Sequence, residues 1–112
     1  MAIVANLVID QGSDFNSTIT VEDTVGNDLD LTNYTVRGQV RRTYTSSTSF
    51  PFTCTKLTSQ GQGKIKIQLS VTQTGEMKPG RYVYDVEIVH TSGTPVIRVV
   101  EGQVSVTARV TR

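Results

Sequence analysis

Tryptophan is absent from this sequence, and cysteine and histidine occur once each, as Cys54 and His90. A lone cysteine excludes an internal disulfide and a thiolate zinc site and fits assembly in a reducing cytoplasm, so Cys54 is expected to serve packing. With a single histidine, a catalytic triad or a histidine-based metal site lacks partners. His90, where a strand meets a turn, therefore reads as a surface polar residue. Long apolar runs are missing as well. Residues 3–9 are cut off by Asp10 and have no basic stretch before them, too little for a signal peptide or a membrane span. Charge of one sign is also lacking: 11 basic against 10 acidic residues leave a net +1. So weak a field excludes nucleic acid and an anionic membrane as expected partners.

What is present is a chain of 112 residues rich in Thr and Val. That length sets an expectation of one domain over 1–112 with one modest core, and β-branched side chains favour extended chain. Apolar residues recur with a spacing of two almost throughout. Residues 3–9 form a short first strand; Phe15, Ser17, Ile19 and Val21 alternate with polar residues as the second, and Val25-Gly26-Asn27-Asp28 supplies turn chemistry. In the next strand Tyr34, Val36, Gly38 and Val40 share one face, with Arg37, Gln39 and Arg41 on the other. A weaker strand alternates Phe50, Phe52 and Cys54, and Pro51, which cannot donate to a ladder, places it at an edge.

Alternation is cleanest where Ile65, Ile67, Leu69 and Val71 point inward between Lys64, Lys66, Gln68 and Ser70. Residues 72–77 predict a single helical turn stopped by Lys78-Pro79-Gly80. Residues 81–90 read as the central strand, with Tyr82, Tyr84, Val86 and Ile88 inward. A turn at 91–95 returns the chain, Gly102 is expected to break the run, and Val104, Val106, Ala108 and Val110 share one face of the last segment. About seven or eight short antiparallel strands with breaks this regular make an all-β chain, a two-sheet sandwich in preference to a small barrel. The two-cysteine, one-tryptophan pattern of antibody domains is missing, so an immunoglobulin likeness is one of architecture.

Candidate chemistry is sparse. Asp10, Asp14, Glu22 and Asp23, near one end of the first hairpin, together with Asp28 and Asp30, offer oxygen ligands. Their spacing does not match a calcium loop, and acidic turn residues commonly cap their own backbone, so no metal is expected. Arg37, Arg41, Arg42 and Arg109 would make a basic face only if their strands pair, and solvated sheet faces carry such residues routinely. Gly61-Gln62-Gly63 is a turn, since no Lys-Ser/Thr pair and no helix follow it. No two titratable groups stand out as acid and base, so neither an enzyme nor a cofactor is expected.

One segment is more specific than its periodicity. Pro79-Gly80-Arg81-Tyr82-Val83-Tyr84-Asp85-Val86-Glu87-Ile88, followed by Val99-Val100-Glu101-Gly102-Gln103-Val104-Ser105-Val106 and a closing Val110-Thr111-Arg112, resembles a small domain of many tailed-bacteriophage structural proteins. Gly12-Ser13-Asp14-Phe15 and Leu29-Asp30-Leu31-Thr32-Asn33-Tyr34, ahead of Val36-Arg37-Gly38-Gln39-Val40-Arg41, extend the likeness over nearly the whole chain. The family resembled is the amino-terminal domain of phage baseplate upper proteins and related tail, neck and decoration modules. It implies an immunoglobulin-like β-sandwich in the virion, assembled in the host cytoplasm and oligomeric in the finished particle. Its implied partners are the capsid, neck, tail or baseplate proteins. Family members usually continue into long carboxy-terminal regions, whereas this sequence stops at Arg112, which favours a cement or adaptor role over receptor binding.

Exposed loops and unpaired edges are where a sandwich offers itself to partners. The expected interaction residues are accordingly Thr43, Tyr44, Ser46 and Ser47 in the Ser/Thr-rich loop 43–49, Pro51 at its edge, and Ile3 and Val4 in the first strand. The alternative is a carbohydrate- or host-surface-binding sandwich. Such a protein displays aromatics for stacking, and Tyr44 alone qualifies, because Tyr34, Tyr82 and Tyr84 fall on inward faces.

Overall fold

Alternation at every second residue becomes nine strands among the described residues, which are 3–21, 31, 33–56 and 63–110 of a computed structural model. In chain order these are β1 (Ile3–Val4), β2 (Leu7–Asp10), β3 (Phe15–Thr20), β4 (Tyr34–Arg41), β5 (Ser49–Pro51), β6 (Thr53–Lys56), β7 (Lys64–Leu69), β8 (Gly80–His90) and β9 (Val96–Thr107). One short helix, α1 (Val71–Glu76), lies between β7 and β8. The larger sheet has the order β1-β9-β8-β4-β5, with β2 also on β9; the smaller has the order β3-β7-β6. The two sheets make an immunoglobulin-like β-sandwich. Its core takes Ile9, Val40, Val86, Ile88 and Val104 from the larger sheet and Ile65, Ile67 and Leu69 from the smaller, each no more than 2% exposed. Burial of each such side chain contributes roughly 1.5–3 kcal/mol.

The expected faces of β3, β4, β7 and β8 are the observed ones. Tyr82 and Tyr84 are buried, Tyr34 and Cys54 pack against the core, and Pro51 lies on an edge strand. The helical turn also forms. Ser70 Oγ accepts from the Gln73 N–H at 3.2 Å, and the Ser70 N–H donates to Gln73 Oε1 at 2.9 Å, a reciprocal cap. Just beyond it, the Tyr82 hydroxyl donates to the Lys78 carbonyl at 2.8 Å, the tyrosine corner of immunoglobulin-like sandwiches.

Several expectations give way to tertiary pairing. β1 and β2 run parallel to β9, in the sheet opposite β3, so the first two strands form no hairpin and the ladder is not wholly antiparallel. Phe50, Phe52 and Cys54 do not share one strand. The chain leaves β4 after β5, crosses between the sheets at buried Phe52, whose N–H donates to the Gly38 carbonyl at 2.9 Å, and resumes as β6 beside β7. Val71 is not inward: it opens α1 and is 47% exposed.

Gly102 does not end a strand either. It sits within β9 opposite Tyr84, where a Cβ would lie 2.2 Å from the Ala5 carbonyl oxygen, so the first strand's kink can approach only a glycine. β9 stops at Thr107, and Val110 is exposed. The turn expected at 25–28, and Gly61 and Gln62 of the expected Gly61-Gln62-Gly63 turn, lie outside the described residues.

Candidate functional site

The outer face of the larger sheet carries the densest polar chemistry, and a bulge assembles it. Val86 pairs with Val100 and Glu87 with Arg98, leaving Val99 as the extra residue of β9. Residues three apart on a regular strand point to opposite faces. With Val99 inserted and turned into the core beside Val100, Arg98 and Glu101 emerge on the same side, and Arg98 Nη1 donates to Glu101 Oε2 at 3.0 Å.

Glu101 stands directly across from Asp85, and Asp85 across from Gln39. Two carboxylates in opposed positions repel. Arg98 lies between them, with its Nε 3.4 Å from Asp85 Oδ2. Desolvation is the main reason that the Asp85 carboxyl titrates above the usual range; the Arg98 guanidinium pulls it back, and Glu87 and Glu101 add to the rise. In the adjacent row Arg37 pairs with Glu87 at 2.5 Å. These ion pairs face solvent, where screening leaves them little weight in stability, so their interest is chemical and not structural.

Loop 43–49 leans over the same face. Arg41 holds it by donating to the Ser46 carbonyl and, at 2.9 Å, to Gln39 Oε1. Tyr44, 86% exposed, lines a shallow depression of about 300 Å³ with Gln39, Arg41, Asp85, Arg98 and Glu101.

The residues expected to interact occupy two places. Thr43, Tyr44, Ser46 and Ser47 lie in the connection after β4, with Pro51 beside them on β5; Ile3 and Val4 lie on β1, at the far edge of the same sheet. Register links the two ends, because Val4, Glu101, Asp85, Gln39 and Pro51 form one cross-strand row. At 4.7–4.9 Å per strand the row spans roughly 19 Å. Sequence reading missed Asp85, Arg98, Glu101 and Gln39 as members of one site. The signal available was their alternation on the polar side of adjacent strands, but the bulge that aligns Arg98 with Glu101 has no local signature.

The remaining candidates do not converge. Arg37 and Arg41 share the outer face, while Arg42 stacks over Tyr82 at 4.9 Å and Arg109 packs by Gly12 at the carboxy-terminal end. Asp10 accepts from the Thr107 hydroxyl at 2.7 Å. Glu22, Asp23, Asp28 and Asp30 lie outside the described residues, and no metal-binding cluster occurs among the described ones. His90 Nδ1 sits 2.9 Å from Ser92 Oγ, with its ring edge-on to Tyr34.

No protein-family model matches the chain, and no curated protein matches it in sequence. In structure it is similar to part of a family 123 glycoside hydrolase from Clostridium perfringens, with a TM-score of 0.44 and 13% identity. The match covers 96% of this chain and 23% of that one.

Proposed function

We propose that this chain is a non-enzymatic virion structural protein of a tailed bacteriophage, docking on other virion proteins as a decoration, cement or baseplate/tail adaptor module. Support comes first from the resemblance of its strand and turn segments to that family. The observation that carries the reading is the pair of exposed edges on one sheet. At one edge Ile3, Val4 and Val8 are 56%, 72% and 65% exposed, and β1 and β2 pair only with β9 among the described residues. At the other, β5 ends in Pro51 and is entered from the exposed loop that carries Tyr44. An uncovered apolar edge is an aggregation hazard that proteins ordinarily cover, and a module seated between neighbours covers it. The partners in this reading are capsid, neck, tail or baseplate proteins, met as numerous copies in a particle assembled in the host cytoplasm.

Quantitative mass spectrometry of purified virions tests the proposal. A copy number in the hundreds corresponds to a shell decoration or cement protein, and a small multiple of three or six to the neck or baseplate. Absence of the protein from purified particles overturns the reading.

A further inference from the structure

We propose that the depression between Tyr44 and the Asp85–Glu101 pair is a binding site for an uncharged saccharide, a function separate from docking on a virion. Its size, about 300 Å³, is at the small end of ligand pockets and suits one or two sugar rings. Its lining decides the ligand class. Arg41 gives N–H groups to Ser46 and Gln39, and Arg98 gives one to Glu101. The remaining guanidinium N–H groups, the Gln39 amide N–H groups, the Asp85 oxygens and Glu101 Oε1 are left to line the depression as donors and acceptors. Neighbouring hydroxyls on a pyranose each donate and accept, so a lining of both kinds suits them.

Charge narrows the choice. Glu87 is engaged by Arg37, which leaves two guanidinium groups facing two carboxylates. A site so balanced gives no net pull on an anion or a cation. The Asp85 carboxylate retains acceptor capacity: among the described residues no hydrogen bond is made to it, and its Arg98 contact, at 3.4 Å, is an ion pair longer than a typical N–H···O bond.

Tyr44 supplies the apolar element. A ring 86% exposed serves no core, and its face matches the C–H face of a pyranose. The loop that carries it is tied down at Ser46 by Arg41, and Ser46 Oγ donates to the Thr48 carbonyl at 3.3 Å. A tethered ring loses less freedom on binding than one on an untethered loop.

The test is amide NMR titration of the isolated full chain with lactose, maltotriose, triacetylchitotriose and sialyllactose. At least one neutral sugar is expected to give saturable shifts centred on Tyr44, Asp85 and Glu101, with millimolar affinity. Tyr44→Ala is expected to weaken that binding about tenfold, Tyr44→Phe to retain it, and Asp85→Asn to weaken it. Because Tyr44 is exposed, its substitution leaves the fold in place. Failure of all three neutral sugars to give saturable shifts overturns the proposal. So do shifts that persist unchanged in Tyr44→Ala, or sialyllactose binding tenfold tighter than lactose. The readout needs no particle and is independent of the copy-number measurement.

Discussion

The Tyr84 hydroxyl donates to the Ala5 carbonyl at 2.5 Å, joining the middle of the central strand to the kink between β1 and β2. The Ala5 N–H in turn donates to the Glu101 carbonyl at 2.9 Å, and Asn6 Oδ1 accepts from the Gln103 N–H at 3.0 Å. The kink thus closes against β9 across Gly102, which has no side chain to obstruct it.

Gly102→Ala is therefore expected to destabilise the protein by about 1–3 kcal/mol, because the new methyl meets backbone and the kink must move. Urea unfolding checks this through a lower midpoint. Hydrogen exchange should place the loosened amides in β1 and β2. An unchanged midpoint would show that the approach is not tight.

Tyr82→Phe removes the hydroxyl held by Lys78 and leaves the ring's contacts with Phe50 and Arg42. A loss of about 1 kcal/mol in unfolding free energy is expected, with the rest of the fold intact. Near-native chemical shifts outside 76–82 would accompany it.

Thr74 is fully buried, and its hydroxyl donates to the Ser13 carbonyl at 2.8 Å, tying α1 to the turn after β2. Thr74→Val keeps the shape but leaves that carbonyl without its partner. It should cost about 1–3 kcal/mol, whereas Thr74→Ser, which keeps the hydroxyl, should cost less. Thermal melts of the two variants decide the comparison.

Asp85 has a folded-state pKa raised above its ordinary value. The folded protein therefore holds a proton that the unfolded chain releases at lower pH. The stability associated with this group is fully present below the ordinary carboxylate range and is lost as pH rises through its folded value. Melting temperatures of wild type and Asp85→Asn, compared from acid to neutral pH, should diverge in that direction, with the variant gaining on the wild type as pH climbs. Parallel curves would contradict the assignment.

Much of the sandwich was legible because burial is a property of single strands. Ile65, Ile67 and Leu69 between Lys64, Lys66 and Gln68 declare an inward face wherever β7 finds its partners. The Pro51 edge and the 72–77 turn were local too, one through a missing N–H and the other through a stop at Lys78-Pro79. The candidate site was only half legible. Loop 43–49 and Tyr44 stood out as exposed, but nothing local in the sequence marked Asp85 of β8 and Arg98 and Glu101 of β9 as neighbours on one face.

Period two, turn chemistry and the scarcity of cysteine and histidine are written residue by residue, and from them followed an all-β chain, its inward faces and most of its strand limits. Pairing joins residues far apart in sequence, and no local pattern encodes it. Only the tertiary structure decided that the first strand runs parallel to the last, that Phe52 carries the chain between sheets, and that Gly102 stays inside a strand under Ala5. The same holds for Val99, whose bulge turns Arg98 and Glu101 to one side, because register is chosen by the fit of whole sheets and not by any one strand.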